Sequence, residues 1–191
     1  MPRLIHPVVA PGSLCGFPQP TLDVDSRCVL RPWTREDVDV VVAAYGDPDI
    51  QRWIPYSFDT TEAEQVIERW TSAWRNETGA CWAIAKRSDN SVFGRFAFQT
   101  IDCIGGSAEI AYWLLATARG HGYAPLATSV ISEWAFGNLG LHRLELIHSV
   151  HNVASCRVAA RAGFELEGTM KSECLYDDGW HDTHLHARVR H

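Results

Sequence analysis

Apolar positions along the chain change period several times, and each change marks an element. Cys28, Val29, Leu30 and Arg31 open a short strand, after which Thr34 and Asp37, three apart, form a cap and box for a helix over 36–45. Gly46 and Pro48 close that helix. Ala63, Val66, Ile67, Trp70 and Trp74 then recur at spacings of three and four, the repeat of a helix burying one face, with Thr60 and Thr61 ahead of it and Gly79 behind. Segments 81–86, 92–100 and 108–115 are rich in β-branched and aromatic residues. Ser88-Asp89-Asn90 and Gly105-Gly106 separate them, which predicts an antiparallel meander.

From Gly122 the helical period returns in Leu126, Val130, Ile131, Trp134 and Ala135, with Gly137 and Asn138 as its stop. Pro125 fits because it falls in the first turn, where its missing N–H would have had no partner. A strand over 144–149, a helix over 153–161 ended by Gly163, and a hairpin of 164–176 with 180–189 around Asp177-Asp178-Gly179 follow. The order predicts an α/β chain with a mixed, mostly antiparallel central sheet of about seven strands flanked by about four helices.

Five of the nine prolines lie in residues 1–26, which read as a proline-rich N-terminal arm without regular structure, followed by a single domain over 27–191. The same prolines break any targeting segment, no apolar run has the length of a membrane span, and a soluble, cytoplasmic protein is expected. At 191 residues, 46% hydrophobic and 21% charged, the chain can bury a core without staples. A net charge of -6 removes the diffuse attraction on which nonspecific nucleic-acid binding depends. The six cysteines show no CxxC pair, so they read as reduced thiols rather than a zinc ribbon or redox centre.

Chemistry concentrates where the third strand of the meander runs through a small-residue loop into a helix, from Tyr112 to Ala124. Loop amides and the orphan donors of a helix's first turn can converge on phosphate oxygens, and glycine lets the backbone approach closely. The loop is neither a Walker motif nor a GxGxxG fingerprint. Arg119-Gly120-His121-Gly122-Tyr123-Ala124 resembles the coenzyme A loop of the GNAT acetyltransferases, and Asn152-Val153-Ala154-Ser155 running on to Ala162-Gly163-Phe164 resembles the branch holding the ribosomal-protein N-terminal acetyltransferases. Asp49 to Pro55 and the Asp177–Asp182 hairpin are similar to that branch too, and the resemblance covers about 27–191.

It implies a GNAT fold and an acyl-CoA-dependent N-acyltransferase that moves an acetyl or other short acyl group to a primary amine, such as a protein N-terminal amine, without a covalent enzyme intermediate. The backbone around Trp113, Leu114 and Leu115 would pair with the pantetheine arm. Residues Arg119, Gly120, His121, Gly122, Tyr123 and Ala124 would hold the pyrophosphate, Asn152 a pantetheine amide, and Arg157 or Arg161 the outer phosphate. Glu173 is the expected base and Ser155 the acid, with Glu109 as the rival base that other branches use. Trp53, Ile54, Tyr56, Trp70 and Tyr176 would wall the acceptor cavity. A homodimer is expected by analogy with this branch. The resemblance leaves open a small amine metabolite or antibiotic as acceptor, and a non-catalytic acyl-CoA-binding protein.

The nine histidines invite a metal reading, above all His181, His184 and His186 on the last strand and His148 with His151 at a strand end. No paired cysteine or carboxylate completes a familiar ligand set, so no metal is expected. Cys156 reads as a small core residue.

Overall fold

The computed structural model describes residues 5–190. Two short strands, β1 (Leu22–Asp23) and β2 (Cys28–Pro32), lead through a 3-10 turn at Arg35–Asp37 into α1 (Val38–Tyr45). A four-residue α2 (Pro48–Gln51) and a long α3 (Thr60–Arg75) precede the meander β3 (Ala80–Lys86), β4 (Val92–Asp102) and β5 (Ser107–Leu114). Then come α4 (Tyr123–Trp134), β6 (Arg143–Ser149), α5 (Val153–Arg161) and the hairpin β7 (Glu165–Tyr176) with β8 (Gly179–Val189). The strands form one sheet in the order β1-β2-β3-β4-β5-β6-β8-β7, antiparallel throughout except for β5 beside β6. The mixed sheet is as expected, with β1 and α2 beyond the elements read from the sequence.

Side chains of β3 alternate between two cores. Ala80, Trp82 and Ile84 face α4 and α5, where Trp82 meets Trp134 at 5.5 Å and Phe98 at 5.9 Å. Cys81, Ala83 and Ala85 face α1 and α3, with Trp33, Val41, Val66 and Trp113. A strand buried on both faces shows no polar alternation, which is why β3 reads as a continuous apolar run.

Three local departures have plain causes. Pro48 does not close α1 but begins α2 at the first helical position, where its missing N–H costs nothing, and the Asp47 carboxylate accepts the Asp49 amide at 2.9 Å. The helix from Tyr123 does not stop at Gly137: α4 passes into a π turn over Ala135–Leu139 and ends at Gly140, whose φ of 72° is the left-handed cap. The arm is neither irregular throughout nor detached. Leu22 and Asp23 pair with β2, Val9 and Leu14 are buried in the α4-side core, and the Trp74 and Trp82 indoles donate to the Phe17 and Pro20 carbonyls.

Glu77 fixes this arm by accepting the amides of Gly12 at 2.9 Å and Leu14 at 2.8 Å. Those amides hold its carboxyl below the ordinary 4.5, against a smaller opposing effect of burial. A lowered folded pKa stabilises above the unfolded value and loses that contribution as pH falls through the folded one. Glu77→Gln is therefore expected to cost about 1–2 kcal/mol at pH 7, and the two proteins' melting temperatures should converge as the pH drops below about 4.5. Equal melting temperatures at pH 7 would remove Glu77 from this role.

Candidate active site

The parallel ladder of β5 and β6 is three residue pairs long, Ser107 with Arg143, Ala108 with Leu144 and Glu109 with Glu145. Beyond Glu109 and Glu145 the pairing stops, while β5 runs on to Leu114 and β6 to Ser149. The sheet opens there into a wedge.

At its mouth lies the loop from Arg119 to Gly122. Gly120 and Gly122 have φ of 81° and 78°, and no heavy atom stands within 4 Å of where a Cβ would lie at either, so backbone conformation rather than space selects glycine. Gly122 is also the N-cap of α4 and brings no side chain to the first-turn amides, which have no intrahelical acceptor and face outward. Ala154, Arg157 and Arg161 of α5 face Gly120, Gly122 and Ala124 across an open cleft. Both arginines, alternatives for the outer-phosphate contact, line this cleft.

The side chains around the loop are engaged within the protein. The Arg119 guanidinium does not project into the cleft: Nε donates to the Leu114 carbonyl at 3.0 Å, and the two terminal nitrogens bind Asp49 at 2.6 Å and Asp47 at 2.9 Å. The residue clamps α2 to the end of β5, a fit that carboxylates spaced around a helix cap make favourable. Leu115 has no free amide, having donated it to the Phe93 carbonyl at 2.9 Å. The Trp113 side chain is buried with Trp33 and Tyr45 on the α1/α3 face. The His121 ring folds back on the Arg119 carbonyl at 2.8 Å, and Tyr123 packs on Phe93 with the Arg27 guanidinium 4.5 Å over its ring.

On the α4/α5 face of the wedge, the Asn152 side chain caps α5 by accepting the Ser155 amide at 3.1 Å. The Ser155 hydroxyl accepts from the Tyr112 hydroxyl at 3.0 Å, which leaves its own proton free to donate. Burial pushes the Tyr112 phenol up to about 12, against the pull of that bond. Tyr112 carries no signature of a role in the sequence beyond its place in β5, one residue before Trp113, on the opposite face from Glu109.

Carboxylates gather on the other face. Glu109 accepts from Gln99 Nε2 at 2.6 Å, and burial raises its carboxyl above the ordinary range, with Glu145 and Glu173 adding to the effect and Gln99 opposing it. Glu173 reaches this face through a bulge, since Met170 pairs with Thr183 and Cys174 with His181, placing Lys171, Ser172 and Glu173 opposite Asp182 alone. Ser172 takes a φ of 46°, and the Asp182 carboxylate accepts its amide at 2.9 Å. The Thr183 hydroxyl donates to Glu173 at 3.3 Å. Among the expected walls, Trp53 and Tyr176 meet edge to face at 5.9 Å, and Tyr176 lies 4.5 Å from the His181 ring. Tyr56 stacks instead on Phe58, and Trp70 packs on Trp33 beneath Arg95. His181 Nδ1 is bonded to the Ser149 hydroxyl at 2.8 Å, and its Nε2 lies 2.8 Å from Asp178.

A wedge that passes through the sheet, with proton donors on one side and proton acceptors on the other, is a geometry for group transfer. The acetyltransferase (GNAT) domain model matches residues 27–165, and the chain belongs to that family of acyltransferase enzymes. An uncharacterized N-acetyltransferase of Bacillus subtilis is 26% identical over 176 residues, 90% of this chain and 97% of that protein. The ribosomal-protein-serine acetyltransferase of Escherichia coli is 31% identical over 101 residues, 53% of this chain and 56% of that one. A microcin self immunity acetyltransferase solved with acetyl-CoA and AMP shares the fold at a TM-score of 0.78 and 21% identity, covering 87% of this chain and 94% of its own. Among the described residues no helix is long and apolar enough to cross a membrane.

The loop's dependence on backbone conformation can be measured without ligand. Gly122→Ala is expected to cost about 1 kcal/mol in thermal unfolding, because an L residue is strained at that φ although its methyl meets nothing. A neutral effect would show that the loop relaxes out of the left-handed region.

Proposed function

We propose that the protein transfers an acetyl group from acetyl-CoA to the α-amine of a polypeptide N-terminus. The observation that carries this reading is the wedge between β5 and β6, with Tyr112 and Ser155 on one face and Glu109 and Glu173 on the other. Pantetheine entering from the loop side would carry the thioester into the opening, with the pyrophosphate on the first-turn amides of α4 and the outer phosphate near Arg157 or Arg161. Glu173 accepts the ammonium proton. The amine nitrogen then attacks the thioester carbonyl carbon, the C–S bond breaks and the leaving thiolate takes the Ser155 proton, while the second proton, shed by the nitrogen as the amide forms, returns through solvent to Ser155, to which Tyr112 donates a hydrogen bond throughout. A tyrosine pKa raised to about 12 keeps that donor protonated at neutral pH.

The exposed bulge at 171–173 supports Glu173 as base, because a strand distorted at a non-glycine residue re-aims one side chain out of the ladder. A specific observation favours the second reading: Glu109 sits at the apex of the wedge, where burial raises its carboxyl above the ordinary range and suits it to accept a proton. The peptide acceptor is supported by the likeness to a ribosomal-protein-serine acetyltransferase and by Asp177 and Asp178 beside the Trp53–Tyr176 wall, which attract a cation. A small amine is the alternative acceptor. The open edge strand β7, with Leu175 exposed opposite Trp180 of β8 and Leu166 exposed farther along it, supports a homodimer.

Thiol release with acetyl-CoA over a panel of N-terminal peptides and small amines tests the reading. Glu173→Gln is expected to lower turnover by roughly 10²-fold or more while acetyl-CoA affinity holds, and Glu109→Gln to do less. The reverse ranking moves the base to β5. Gly122→Asp should weaken thermal protection by acetyl-CoA, because a carboxylate repels phosphate at that helix end. Undiminished protection would refute the loop assignment, and release with small amines alone would refute the peptide acceptor.

A further inference from the structure

Four donor groups that take no part in the scheme above meet beneath α5. His148 of β6, His184 and His186 of β8 and Cys156 of α5 place one ligand atom each within 4.8 Å of one another. Register explains the meeting. His148 lies directly opposite His184, and His186 lies two residues along the same face, opposite Leu146 in the core that α5 covers. The three rings are 5.1 to 5.9 Å apart, and His148 and His186 are 7% and 3% exposed.

These histidines are not satisfied core residues. His148 Nε2, His184 Nδ1 and both nitrogens of His186 are buried without a hydrogen-bond partner among the described residues. Buried polar atoms are nearly always paired, so four unpaired in one place point to an occupant. His148 Nδ1 donates to the Ser149 carbonyl at 2.8 Å, which puts its proton there and its lone pair on Nε2, the atom left unpaired. A backbone carbonyl holding the outer N–H is the usual arrangement behind a metal-binding imidazole.

We infer that His148, His184, His186 and Cys156 form a binding site for one divalent transition-metal ion of the zinc class. Three imidazoles and a thiol are the soft and borderline donors that zinc takes in closed four-coordinate sites, and the set holds no carboxylate that would favour magnesium or calcium. Donors around a tetrahedral ion at 2.0–2.3 Å stand about 3.3 to 3.6 Å apart, so the widest separations must close by roughly 1 Å on binding. The thiol gives up its proton, and the ion retains a single net positive charge against the thiolate. The ion would join α5 to the β6–β8 pair one residue from Ser155, holding the helix whose first turn borders the wedge. The site neither requires the acyl-transfer reading nor supports it.

The test uses the full chain, stripped with chelator and titrated with Co²⁺ as a spectroscopic substitute for Zn²⁺. The expected result is one ion per chain, intense visible bands of a tetrahedral site, a thiolate-to-cobalt charge-transfer band, and displacement by Zn²⁺. Zn²⁺ at a hundredfold excess over its Kd should raise the melting temperature by roughly 5 to 10 °C. Cys156→Ser should abolish the charge-transfer band, His186→Ala should weaken binding at least tenfold, and the exposed His142→Ala should change neither. If His186→Ala fails to fold, the wild-type stoichiometry and Cys156→Ser still decide. A wild-type chain that takes up no ion, or shows only the weak bands of octahedral surface binding, overturns the site. So does a charge-transfer band that survives in Cys156→Ser.

Discussion

Everything distinctive in this molecule depends on a parallel pairing that stops. Two parallel strands joined through a helix ordinarily continue their ladder as far as both extend, because unpaired backbone groups are costly to bury. Here β5 and β6 share three residue pairs and then diverge, leaving polar backbone on both sides of an opening between two covered faces. An extended, amide-bearing chain is the kind of ligand that can satisfy such groups, and pantetheine is one. Without the wedge, the loop at Gly120 and Gly122 would be a strand-to-helix turn and nothing more.

Around that opening the sequence uses its polar residues twice. Arg119 reads as a phosphate contact, yet its guanidinium binds Asp47, Asp49 and the Leu114 carbonyl, which fixes the loop's entry. Asn152 caps α5 through its oxygen, and its amide nitrogen is the group left for another partner. Ser155 and Cys156 are adjacent on a helix, so their side chains diverge by about 100°. One meets Tyr112 and the other meets the three histidines. A single turn of α5 thus serves both the wedge and the cluster beneath it.

The bulge in β7 belongs to the same economy. A regular strand would set Glu173 in strict alternation with Ser172 and Cys174, whereas three residues opposite Asp182 break the alternation and bring the carboxylate against Thr183. The left-handed Ser172 is the strain this requires, offset by the Asp182 carboxylate on its amide.

Local chemistry was legible in the chain. The Thr34–Asp37 box, the periodic face of α3, the glycines before α4 and the Asp177-Asp178-Gly179 turn each state a preference that depends only on near neighbours, and each element formed there. Pro48 and Gly137 misled because each residue fits two local situations, a stop or a start for proline and a stop or a π turn for glycine, and packing chose between them. Tertiary structure alone decided what lies across from what: which side of the sheet holds Glu109 and which holds Tyr112, where Arg119 finds its acids, and that Cys156 supplies the fourth donor to histidines from two strands. Those relations join residues tens of positions apart. Their free energy comes from burial and from pairing across the sheet, which spacing along one strand or helix does not encode.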